Sequence, residues 1–166
     1  MNNARKCALA LGILFTLLGI AGFIPALVTL PGDVANATAP ITMDQVPRTE
    51  GPNYLAAYLR GFGYLFGLFP TNTLHNLAHL TIGAIGIISS LGDRGTFNYN
   101  RFFAVSYLGL AILGLLPITK TLFGIMPIFG NNVWLNALTG AIAAYFTVLL
   151  YQTPGAIPGP QKQIRQ

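Results

Sequence analysis

Charge is what this sequence has least of. Four acidic and nine basic residues make up 8% of its 166 positions, against about 25% in an ordinary soluble domain. A chain so poor in charge does not cover a globule with solvated groups, and a hydrophobic content of 53% places it among integral membrane proteins. The net charge of +5 reflects the shortage of acids, since no dense basic run is present. Nucleic acid is therefore excluded as a partner, and the lipid bilayer takes its place. Cysteine is nearly missing too. The single Cys7 rules out an internal disulfide and leaves no cysteine pair at metal-ligand spacing; lipidation of this residue is the minor alternative to a small apolar role.

What is there is long hydrophobic runs. Crossing a hydrocarbon layer about 30 Å thick takes about 20 mostly apolar residues. Four stretches reach or approach that length, at 7–30, 72–91, 102–119 and 133–151. The predicted fold is all-α and integral to the membrane, a four-transmembrane-helix bundle forming one domain over 1–151. A flexible, Pro- and Gln-rich cytoplasmic tail follows over 152–166. The first run follows a basic start and precedes "ANA" at Ala35–Ala37, as a cleavable signal would, but it is longer than the about 7–15 residues of such a segment and is read as a retained anchor. Arg5, Lys6, Arg94, Arg101, Lys162 and Arg165 fall on one side of this topology and Arg48, Arg60 and Lys120 on the other, so both termini are predicted to be cytoplasmic. The first outer loop carries "YLAAYLRGFGYLFGLF" over 54–69, too apolar for water. It is predicted to lie as an interfacial helix, with Tyr54, Tyr58 and Tyr64 at headgroup level, the alternatives being a cover packed over the bundle and a short re-entrant segment.

An internal correspondence organises the rest. "LFGLFP" at Leu65–Pro70 returns as "LFGIMP" at Leu122–Pro127, and the same spacing sets His75 on Asn132, His79 on Asn136 and Gly83 on Gly140. The preceding spans end alike, in "GFIP" at Gly22–Pro25 and "GLLP" at Gly114–Pro117. Each half thus reads helix, GxxP, loop, LFGxxP, helix. Both halves enter from one side, which predicts a 2+2 parallel internal repeat with its pseudo-axis along the membrane normal.

Placed on a helix at about 100° per residue, Asn72, His75, Asn76 and His79 share one stripe, continued by Gly83 and Gly86. Asn132, Asn136, Thr139 and Gly140 form its counterpart. Amides and imidazoles without partners cost several kcal/mol in hydrocarbon, so both stripes should face protein. The glycines should allow close backbone approach, and the second and fourth spans are expected to meet at the pseudo-axis.

The polar face is short of catalytic parts. His75 and His79, one turn apart, are half of a zinc site. The acidic or thiolate ligands that would complete it are missing, and Asn76 stands where a zinc protease would have its glutamate. Neither a membrane-embedded carboxylate for proton relay nor a Ser-His-acid set, P-loop or dinucleotide fingerprint is present, so no enzyme and no metal site is predicted. No cofactor is predicted either, although a single His ligating a chlorophyll or a haem is the alternative.

The run N-x-x-H-N-x-x-H-x-x-x-G from Asn72 to Gly83, with Arg101 opening the third span, resembles a four-helix bacterial membrane family catalogued as domain of unknown function 4383. The likeness extends from the first helix to about Tyr151. It implies a fold and a place in the bacterial cytoplasmic membrane or an internal, thylakoid-like one, and it implies no activity. Asn132 and Asn136 stand where some members have a His, which speaks against a paired-histidine cofactor. The expected role is an accessory or scaffolding subunit of a larger membrane complex, with a membrane-protein partner or a homo-oligomer. The alternative is a tetrapyrrole carrier or a small-solute or ion pathway at His75 and His79.

Overall fold

A computed structural model describes residues 1–30 and 58–152. Over these the protein is mostly helical, with α1 (Asn3–Ala21), α2 (Thr73–Ser89), α3 (Asp93–Leu115) and α4 (Asn131–Gln152). Two of the four, α1 and α4, are long and apolar enough to cross a membrane. The 17 residues of α2 span about 26 Å at 1.5 Å each, and α3 opens on Asp93, Arg94 and Arg101.

Local sequence explains the boundaries. The Asn2 side chain accepts from the Arg5 amide and caps α1, as that of Asn72 accepts from the His75 amide and caps α2. The first helix was expected to run to Leu30, but it stops at Ala21. Pro25 disfavours a helical residue before it, and the chain turns through a 3₁₀ segment (Pro25–Leu27) into a strand. The third helix starts at Asp93 and not at Phe102, because Gly92–Arg101 is polar enough to read as a linker yet folds as the first turns of α3.

The outer end departs most from an all-α plan. β1 (Val28–Thr29), β2 (Gly63–Leu65) and β3 (Phe69–Thr71) form an antiparallel sheet in that order, pairing Val28 with Leu65 and Tyr64 with Pro70. The expected interfacial helix over 54–69 is therefore corrected for its described part, which is largely turn and strand. The reason is local. Gly67 at φ 69° takes the left-handed conformation that a tight hairpin needs, and Phe66 precedes it at φ 54°. Tyr58 and Tyr64 are buried rather than at headgroup level, and burial pushes both hydroxyls above the ordinary phenol range, with Tyr64 adding to the shift of Tyr58. Tyr54, the Ala35–Ala37 stretch and the tail beyond Gln152 lie outside the described residues.

The helices associate as two hairpins, α1 along α2 and α3 along α4. α2 and α4 share no extensive contact, so the expectation that they meet is corrected. Their glycine faces are used inside the hairpins instead. A Cβ on Gly83 would stand 2.5 Å from the Thr16 amide nitrogen and 2.8 Å from the Gly12 carbonyl, and one on Gly86 would stand 2.9 Å from the Gly12 Cα. Gly140 plays the same part against the Leu108 amide nitrogen at 3.0 Å. The centre is filled by aromatics from α1 and α3. Phe103 stacks on Tyr107 at 3.8 Å, and Phe15 meets both edge-on at 5.2 and 4.9 Å.

At the end of the bundle that holds the amino terminus, Arg5 donates through Nε to the Ser90 carbonyl (2.7 Å) and through Nη2 to that of Leu91 (2.8 Å). These are carbonyls that the end of α2 would otherwise leave open. Asn2 donates to Asp93 (2.8 Å) and Asn100 to the Ala4 carbonyl (3.2 Å).

Candidate functional site

The polar stripe of α2 is buried, and its members divide into two kinds. Asn72 and Asn76 act as ties. The Asn72 amide donates to the carbonyls of Tyr58 (3.0 Å) and Ile125 (2.9 Å), joining the first outer loop to the second. The Asn76 amide donates to the Gly22 carbonyl (2.7 Å), while its oxygen accepts from the Thr71 hydroxyl. On α4, Asn132 donates to the carbonyls of both Pro70 (2.7 Å) and Pro127 (3.0 Å). Those two prolines close the two LFGxxP loops, so one amide joins equivalent points of both. The Thr139 hydroxyl donates back to the Leu135 carbonyl of its own helix (2.6 Å).

The histidines are the other kind. His75 and His79 are 5% and 6% exposed, with ring centroids 4.3 Å apart. The Pro70 carbonyl interacts with the His75 ring, yet Nδ1 of each imidazole is sealed from solvent without a hydrogen-bond partner. His79 stands edge-on to Phe15 at 5.0 Å. A buried polar atom left unpaired costs about 1–3 kcal/mol, and native structures hold few of them.

Both rings line a cavity of about 430 Å³ between α2 and α3. Asn136 reaches it from α4, Ser106 and Tyr107 line it from α3, and Leu122, Met126 and Ile128 of the second outer loop close its top. The site thus brings together His75, His79 and Asn136, as the stripe pattern implied, but places Asn72, Asn76 and Asn132 in the framework around it. No hydrogen bond joins either imidazole to Asn132 or Asn136 among the described residues.

Residues 5–149 match the family model described as Domain of unknown function (DUF4383). The chain belongs to this family. The DUF4383 match covers α1 to α3 almost entirely and most of α4, with both outer loops, so the histidine cavity is made wholly within it. No curated protein and no solved structure matches the chain.

Sequence reasoning missed the aromatic and loop residues of the cavity. Phe102 and Tyr107 look like ordinary apolar positions of their span, as does Phe15, which packs against His79 behind the cavity. A signal existed in the distance between the two GxxP exits. Carried back along α1, it sets the buried Ala4, Cys7, Ala8, Leu11, Gly12, Phe15 and Gly19 onto Thr96, Tyr99, Asn100, Phe103, Ala104, Tyr107 and Ala111, all buried in α3. None of these pairs is identical, so the match shows in burial and not in letters.

Proposed function

We propose that this DUF4383 chain is a non-catalytic, four-span protein of the bacterial cytoplasmic or an internal membrane, built from two parallel repeated hairpins and serving as an accessory or scaffolding subunit. The observation that carries this reading is where apolar bulk lies. Large apolar side chains stand exposed on every helix, among them Leu17 on α1, Ile88 on α2, Val105 on α3 and Trp134 on α4, while Asn72, Asn76 and Asn132 turn inward and are tied to backbone carbonyls. A surface of this kind needs lipid or another membrane protein to cover it. Arg5, Lys6, Arg94 and Arg101 cluster towards one end of the bundle, which supports cytoplasmic termini.

The repeat is supported by the outer turns. Phe66 and Phe123 have φ of 54° and 56°, and Gly67 and Gly124 of 69° and 82°. The bonds from Gly67 to Tyr64 and from Leu68 to Leu65 recur from Gly124 to Thr121 and from Ile125 to Leu122. A bulky residue with positive φ is uncommon, so two at matching points favour duplication. Phe66→Cys and Phe123→Cys should therefore both react with an impermeant thiol reagent added outside intact cells; reaction of one from outside and the other only after lysis contradicts the parallel arrangement.

For the accessory role, mild-detergent purification from native membranes with cross-linking and mass spectrometry should return a membrane protein, or further copies of the chain, in fixed stoichiometry. A lone monomer in lipid nanodiscs cut directly from those membranes counts against it. One observation favours a second reading, a tetrapyrrole carrier or solute pathway: two neighbouring imidazoles line a cavity. A visible absorbance band in the purified protein that His79→Leu removes supports the carrier, and flux into vesicles that His79→Leu abolishes supports the pathway.

A further inference from the structure

We propose that the cavity between α2 and α3 is a lateral binding site for a neutral amphiphile, a lipid-soluble molecule whose head carries a carbonyl or hydroxyl oxygen. The proposal rests on the membrane reading above and on no part of the scaffold role. The volume of about 430 Å³ lies in the range of about 300–1,000 Å³ that small-molecule sites occupy. Its shape is sided. Phe102 and Ile85 line it while being 60% and 47% exposed, so the cavity opens sideways, where acyl chains would lie, rather than to either aqueous face.

The chemistry of the wall selects the head. No Lys, Arg, Asp or Glu lines the cavity, and an ionised head placed there would lose its hydration without a counter-charge. His75, His79 and Asn136 supply neutral hydrogen-bonding groups, and a neutral imidazole offers one donor and one acceptor nitrogen. A carbonyl or hydroxyl oxygen matches that set. Asn72, Asn76 and Asn132 are all engaged by backbone carbonyls and none of them lines the cavity, whereas both imidazoles do. The histidines are thus the polar members of the α2 stripe that a ligand head in the cavity would meet. The apolar part of the guest then runs along Ile82 and Ile85 of α2 towards the opening at Phe102.

The test uses the full chain in phosphatidylcholine nanodiscs with three photoreactive probes: a short-chain quinone, a long-chain alcohol and a fatty acid carrying a carboxylate. At least one neutral probe should label saturably, with cross-links mapping beside Ile85, Phe102 or Met126, and the carboxylate should bind about tenfold or more weaker. The tighter of the two neutral probes tells a ring carbonyl from a hydroxyl head. Ala78→Phe, inside the cavity, should weaken labelling by about tenfold or more, while Leu135→Phe, its counterpart on α4, should leave it unchanged. If Ala78→Phe fails to fold, Ile85→Trp at the exposed rim makes the same test. Labelling that does not saturate, a carboxylate that binds as well as the neutral probes, or equal losses in the two Phe variants overturns the proposal. So does a visible band that shifts in His79→Leu, which would assign the histidines to a tetrapyrrole. Alkaline carbonate extraction separates the failures: release without detergent removes the membrane reading and this site with it, whereas a retained but unlabelled protein removes this site alone.

Discussion

Under the proposed repeat, the groove between α2 and α3 corresponds to the groove between α1 and α4, and the two are furnished differently. Ala78, Thr81, Ile82, Ile85, Phe102 and Ser106 line the first, and their counterparts Leu135, Leu138, Thr139, Ile142, Ala10 and Leu14 line the second. The first is polar at its outer end, where His75 and His79 stand. The second carries Asn3 and Lys6 at its opposite end, with Cys7 and Phe146, and has Thr139 and no histidine further along. If the repeat holds, one backbone plan carries two unlike cavities. The counterpart of His75, Asn132, has been drawn into the frame, bridging Pro70 and Pro127, while His75 has not. The comparison teaches that a shared position does not fix a role: an amide is held by two carbonyls at the point where an imidazole is left with an unpaired nitrogen.

The sharpest way to break that contrast is to remove both groups. Asn132→Leu should cost about 1–3 kcal/mol for each carbonyl it orphans, read as a lowered unfolding midpoint in detergent. His75→Leu should change stability by less than about 1 kcal/mol either way, having little pairing to lose. Equal losses would show that the two residues do the same work.

A smaller difference is expected at the hairpin crossings. Gly83→Ala drives a methyl against the Thr16 and Gly12 backbone at 2.5 and 2.8 Å and should cost about 1–3 kcal/mol. Gly140→Ala meets Leu108 at 3.0 Å, including the end of a side chain that can turn, and should cost under about 1 kcal/mol. A reversal of this order in thermal unfolding would place the tighter crossing in the second hairpin.

The smallest effect is at the outer loops, where Tyr64 in the first stands at the place of Thr121 in the second. Burial raises the folded-state pKa of Tyr64, so its stabilising share is complete below the unfolded phenol value of about 10 and declines as pH rises through and beyond it. Tyr64→Phe should flatten that alkaline decline in the unfolding midpoint, and an unchanged slope would assign it to other groups.

Much of this was legible in the sequence, and the exceptions have physical causes. Asn72 announced the start of α2 because a capping side chain is a local signal. The LFGxxP loops announced themselves because positive φ at the glycine restricts what residue can stand there. The second half of the first outer loop was misread for the opposite reason. Its tyrosines and leucines suggested an interfacial helix, although Gly61, Gly63 and Gly67 already argued for turns. The partner of the polar stripe was also out of reach. A row of amides demands acceptors but does not say which, and here they are loop carbonyls at Gly22, Pro70, Ile125 and Pro127 rather than a matching row on α4. The central aromatics gave no sign, since Phe15 and Tyr107 are typical of any apolar helix.

The fastening of Arg5 to Ser90 and Leu91 has a mechanical consequence. With Asn2 on Asp93 and Asn100 on Ala4 beside it, this margin acts as the spine of a book whose covers are the two hairpins. A tilt of one hairpin against the other therefore pivots there and spreads widest at the opposite margin, where clasps from Asn72, Asn131 and Asn132 bridge the loops. The guest chamber lies between spine and clasps, so its width follows that tilt.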